Sequence, residues 1–119
     1  MTDKVIIYHN PKCSKSRACL ELITSMGITP IVKLYLDKII TNDELINIVH
    51  MLGIKPRELL RKSEEEYETY NLNDNKLGDE EIIKIMIENP ILIQRPIVMT
   101  NKSATIGRPP ENILKILNK

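Results

Sequence analysis

Tyr8-His9-Asn10-Pro11-Lys12-Cys13-Ser14-Lys15-Ser16-Arg17 joins two different hydrophobic periods and puts a cysteine at the junction. Ahead of it, Val5-Ile6-Ile7-Tyr8 is the short β-branched and aromatic run of a buried strand. Behind it, Cys19, Leu22, Ile23 and Met26 recur at helical spacing. Cys13 therefore sits near a helix N-terminus, where unpaired N–H groups and the positive end of the helix dipole favour an anion. A thiol there can lose its proton well below its ordinary pKa of about 8.5 and become a nucleophilic thiolate. Lys12, Lys15 and Arg17 add cations where the dipole ordinarily favours Asp or Glu, an unfavourable placement unless a thiolate and a bound oxyanion supply negative charge. The plainer alternative is a solvated basic turn around a half-buried cysteine.

Working outward, a strand over 4–8, a loop over 9–13 and a helix over 14–26 are followed by a Gly27-Ile28-Thr29-Pro30 stop and a second strand over 31–35. Connections this short imply a parallel pair with a right-handed crossover, which leaves the strand's C-terminal end and the helix's N-terminal end at the same edge. Over about 37–89 the pattern turns helical. Thr41-Asn42-Asp43-Glu44 reads as a capping box for a helix carrying Leu45, Val49 and Leu52 and stopped by Gly53. Pro56 suits the first turn of a short helix, and Ser63-Glu64-Glu65-Glu66 reads as a second capping box. Asp79 can cap a helix bearing Ile82, Ile83, Ile85 and Met86 that ends at Pro90. Strand signals return at 97–100 and 104–106, with Asn101-Lys102-Ser103 between them. Arg108-Pro109-Pro110-Glu111 then opens a last helix with Ile113, Leu114, Ile116 and Leu117 inward. The expected class is α/β: β-α-β and β-β-α units forming a mixed four-stranded sheet, with a central helical insertion, in a single domain over 1–119.

Composition narrows the function. Seventeen Lys and Arg against sixteen Asp and Glu leave +1, too little for a protein that wraps a polyanion, so nucleic acid is not an expected ligand. No apolar run approaches the roughly 20 residues of a membrane span, and Met1-Thr2-Asp3-Lys4 leads straight into a strand, so a cytoplasmic protein is expected. Cys13 and Cys19 lie six residues apart on one helix, a rise of about 9 Å that exceeds the reach of a disulfide. Cys19 falls on the apolar stripe as a buried thiol. The two Cys and two His have unsuitable spacings for a metal site. A C-x5-R oxyanion loop is excluded too, because its arginine would fall at position 19, which is Cys19.

The β-α-β and β-β-α units, a cysteine at the first helix's start and an X-Pro step at Pro96 before the third strand together resemble the thioredoxin fold, whose counterpart of Pro96 is cis and faces the cysteine. Within it, four segments in order resemble the glutaredoxin-dependent arsenate reductases: Tyr8 to Arg17, Glu58-Leu59-Leu60-Arg61-Lys62, Pro90-Ile91-Leu92-Ile93-Gln94-Arg95-Pro96-Ile97-Val98, and Gly107-Arg108-Pro109. The resemblance implies that Cys13 is the nucleophile that attacks arsenate. Glutathione would then attack the adduct as co-substrate, and glutaredoxin would remove the glutathione to release arsenite, with no bound cofactor. It implies that Arg61, Arg95 and Arg108 surround the oxyanion and that His9 lies near the thiol, with Asn10, Ser16, Arg17 and Pro96 in support and the chain acting as a monomer.

Elementary chemistry points the same way. A tetrahedral oxyanion spreads charge over several oxygens, so guanidiniums from separate segments bind it by paired, charge-assisted hydrogen bonds better than lysines would. Ser16 replaces a second cysteine, so the reducing thiol should come from a small-molecule partner, and Ser16 can offer the sulfur only a hydroxyl hydrogen bond. Each arginine taken alone reads as an ordinary surface residue, and His9 reads equally well as a hydrogen-bonding loop residue. Two other functions stay open at this point. One is a thioredoxin-fold stress regulator that binds RNA polymerase, against which Ser16 counts by breaking the C-x-x-C switch. The other is a related thiol oxidoreductase with another substrate.

Overall fold

In the computed structural model, which describes residues 4–37 and 40–117, β1 (Ile6–Tyr8) pairs in parallel with β2 (Ile31–Lys33) and antiparallel with β3 (Ile97–Met99). β3 pairs antiparallel with β4 (Ala104–Ile106), so the sheet runs β2-β1-β3-β4. Ile6 faces Ile31 on one side and Met99 on the other, and Ile97 faces Ile106. The mixed four-stranded sheet expected from the two strand-rich ends is thus present. The Met1-Thr2-Asp3 start and residues 38–39 lie outside the described residues.

The chain divides into two compact units, residues 1–38 with 95–119, and residues 39–94. In the first, α1 (Ser14–Ser25) crosses from β1 to β2 and lays its apolar stripe on one sheet face. Val5, Ile7, Cys19, Ile23, Val98, Ile113 and Leu117 form one buried cluster there, which is how the alternation of a strand and the three-to-four spacing of a helix meet. β2 is an edge strand with all three residues exposed, so its apolar run does not mark a core position. The last helix is a 3-10 turn, Pro110–Ile113, continued by α5 (Leu114–Leu117). Ile113 and Leu117 point inward, but Leu114, expected inside, is exposed because the tight 3-10 start rotates the stripe.

The second unit holds α2 (Asn42–Leu52), α3 (Glu65–Thr69) and α4 (Asp79–Glu88), with 3-10 turns at Pro56–Leu59 and Pro90–Leu92. Thr41 caps α2 by accepting from the Glu44 N–H at 3.1 Å, and Gly53 closes it with φ +68°. Two caps differ from the sequence reading by one residue. α3 starts after Glu64 rather than Ser63, and α4 after Gly78 rather than Asp79, which becomes its first helical residue and meets the dipole there. No helix among the described residues is long and apolar enough to cross a membrane.

One close approach in the first unit is decisive for the fold around β4. A Cβ placed on Gly107 would overlap the Sγ of Cys19 and sit 3.0 Å from Pro96 Cγ and 3.5 Å from Ile113 Cγ2. All of those neighbours are packed, so Gly107→Ala is expected to cost about 1–3 kcal/mol of stability through overpacking. A chemical-denaturation midpoint equal to that of the parent chain would refute this.

Candidate active site

The chain leaves β1 through a hydrogen bond from the His9 N–H to Lys33 O, 2.9 Å, which extends the β1–β2 ladder by one step. It then turns over Pro11 and Lys12. Asn10 closes the turn twice, its backbone carbonyl accepting from the Cys13 N–H and its Oδ1 from the Lys12 N–H, both at 3.0 Å. Arg17 Nη1 donates to Pro11 O at 2.7 Å and clamps the same turn from the first helical turn. Cys13 is left half-buried as the N-cap of α1, with extended backbone angles of φ −96° and ψ 122°.

A cap residue ordinarily offers an oxygen to the N–H groups two or three residues on. The neutral thiol makes no such capping bond; the ionised sulfur is the anion this position calls for. Burial raises the Cys13 pKa, but the Ser16 N–H, a hydrogen bond from Arg95, the Lys15 N–H and the Arg95 charge together outweigh it. The net result is a thiol held below its ordinary range. Arg95 is the cation on the sulfur.

Ser16 contributes differently from the sequence reading. Its hydroxyl is fully buried, accepts from the Asn10 N–H at 3.0 Å and lies 2.6 Å from His9 Nδ1, so it fastens the loop to the helix. Its backbone N–H is the group that favours the thiolate. His9 is buried, and burial together with the nearby charge of Arg17 lowers its pKa below 6.5, so it is a neutral imidazole at pH 7. His9 is thus a loop hydrogen-bonding residue, linked through Ser16 to the first turn of α1.

The sheet lays the segment after Arg95 beside the segment before Arg108: the pairing of Ile97 with Ile106 is followed by a hydrogen bond from the Gly107 N–H to Pro96 O, 2.8 Å. Each arginine precedes a proline across a cis peptide bond, at Pro96 as the resemblance implies and also at Pro109.

Arg61 lies in the second unit. Its N–H donates to Leu92 O at 2.7 Å, and its Nε donates to the Glu64 carboxylate at 3.1 Å. Cys19 is fully buried on α1, donating toward Gly107 O at 3.4 Å. Its pKa is pushed up to about 11 by burial and by the Glu111 and Cys13 charges, so it remains a neutral thiol beside the reactive one.

A family model described as "ArsC family" matches residues 8–116. The chain belongs to the ArsC family. It is 47% identical to an arsenate reductase of Haemophilus influenzae, with 95% of this chain and 98% of the other aligned. It is 46% identical to the uncharacterized protein YfgD of Escherichia coli, over 98% and 99%. Among solved structures, the arsenate reductase from Vibrio cholerae superposes with a TM-score of 0.95 at 45% identity, covering 98% of this chain and all of that one. As a member of the ArsC family with this strand order, the chain has a thioredoxin-like α/β fold.

Proposed function

We propose that this chain is an arsenate reductase that takes its electrons from glutathione and glutaredoxin. The observation that carries the reading is the Cys13 sulfur at the N-cap of α1, with Arg95 donating to it; Arg95 and Arg108 are two proposed ligands of the anion, on their match to the family's pattern. Arg61 is the third proposed ligand of the anion, on its match to the family's pattern. Relatives named arsenate reductases, about as similar to this chain over nearly their whole length, support the substrate.

The Cys13 thiolate attacks arsenic, a sulfur–arsenic bond forms, and an oxygen leaves as water after protonation. Arginines that bind the arsenate oxygens stabilise the charge that grows on them as the bond forms. With Ser16 at the place of a second thiol, the electrons must come from outside the chain. Glutathione adds to the arsenic through its sulfur, and a second oxygen leaves as water. A glutaredoxin thiolate then attacks that sulfur, the electron pair of the sulfur–arsenic bond passes to arsenic, and As(V) becomes As(III). Hydrolysis frees Cys13. In sum, arsenate, glutathione and a glutaredoxin thiol give arsenite, water and a glutathione–glutaredoxin mixed disulfide. A reducing compartment, as in the cytoplasm, suits these thiols.

Arsenite release by the purified protein is expected only when arsenate, glutathione and glutaredoxin are all present. Undiminished release without either thiol partner would remove that electron source, and no release from the complete mixture would remove the activity.

A further inference from the structure

The loop that carries Arg108 is short, exposed and bonded to little of its own, yet one side chain spans it. Asn112, in the 3-10 turn that follows, donates from Nδ2 to the carbonyls of both Arg108, at 3.0 Å, and Ile106, at 3.4 Å. Its own N–H reaches Pro109 O at 3.0 Å. The two accepting carbonyls flank Gly107, whose N–H is bonded to Pro96 O and whose carbonyl accepts from the Cys19 thiol. The backbone on each side of Arg108 is thereby fixed to the residue next to Arg95. An exposed arginine pays side-chain entropy each time it binds, and a fixed backbone reduces what remains to be ordered.

We propose that Asn112 is a positioning residue for Arg108, fixing the backbone from which its guanidinium reaches the oxyanion. This rests on the reading that Arg108 binds the anion. Only an amide fits the task at this length: both partners are carbonyls, so the side chain must donate twice, and a carboxylate would face them with acceptors alone.

The probe is arsenate protection of Cys13 against iodoacetamide, a binding measurement that needs neither glutathione nor turnover; buried Cys19 stays silent. Asn112→Ala is expected to raise the half-protecting arsenate concentration about fivefold. Asn112→Asp, of the same size, is expected to raise it further, because it removes both donors and adds a negative charge. On an Arg108→Ala background, Asn112→Ala should add nothing, and in turnover KM should rise by more than kcat falls. A purely structural asparagine would instead weaken protection to the same degree with or without Arg108. If Arg108→Ala weakens protection and Asn112→Ala does not, the proposal fails while the anion reading stands. If Arg108→Ala leaves protection unchanged, the anion reading of Arg108 fails, and the proposal with it.

Discussion

Cys13→Ser is expected to lower arsenite formation by on the order of 10³-fold or more, since it removes the thiol proposed to bond arsenic. The groups that favour an anion at this position, the Ser16 and Lys15 N–H groups and the Arg95 guanidinium, hold a thiol below its ordinary range. The same help leaves an alcohol, with a much higher starting pKa, protonated. The substitution is also unusually clean. Position 13 caps α1, and serine is a better cap than cysteine because its oxygen accepts from the N–H groups of the first turn. The denaturation midpoint should therefore hold or rise while activity disappears. Comparable arsenite release by both proteins would remove Cys13 as the nucleophile.

That separation of stability from chemistry reflects what was legible in the chain. The β1–α1 junction could be read because two incompatible periods meet within ten residues, and local periodicity is decided by neighbours in sequence. Thr41 and Gly53 could be read for the same reason, since a cap answers to its own helix. Where competition is between adjacent polar residues, the reading slipped by one. Ser63 looked like the cap of α3, but Glu64 takes the position, with its carboxylate drawn to Arg61 Nε. Burial was less legible than helix or strand type. Ile31 and Val32 have the composition of a central strand, yet β2 is an edge with both exposed, because strand order is set by pairing between distant segments.

The site shows the same division. Cys13 announced itself through local context, whereas the arginines did so only through their match to a family pattern. What joins the segments that follow Arg95 and precede Arg108 is register across a hairpin, and the Arg108 carbonyl is bonded by an asparagine that no motif singled out. Ser16 illustrates the limit most sharply. Its residue type suggested a hydroxyl aimed at sulfur, but at the third helical position the backbone N–H faces the cap and the side chain turns back to Asn10 and His9. Gly107 was part of a matching segment with no physical account until Cys19 and Pro96 were seen to close on it.

Arg95→Gln should separate two contributions that the wild-type site combines. Arg95 favours the Cys13 thiolate both by a hydrogen bond and by its charge, and it is also one of the proposed ligands of the oxyanion. Glutamine keeps a donor of lesser reach and removes the charge. The sign follows from the direction of the shift: Arg95 lowers the pKa of an acid, so its loss raises it and leaves less thiolate at any pH below the new value. Iodoacetamide should therefore modify Cys13 in the variant on the order of tenfold more slowly at neutral pH, and the deficit should vanish in alkali, where both proteins are fully ionised. Arsenate reduction should behave differently. A missing oxyanion donor typically costs about 10²-fold in rate, and raising the pH cannot restore it. The expected pattern is an alkylation defect that pH repairs alongside a kcat/KM defect that persists. If both defects vanish together at high pH, Arg95 acts on the sulfur alone; if alkylation is unaffected at every pH, the guanidinium is not what holds the thiolate.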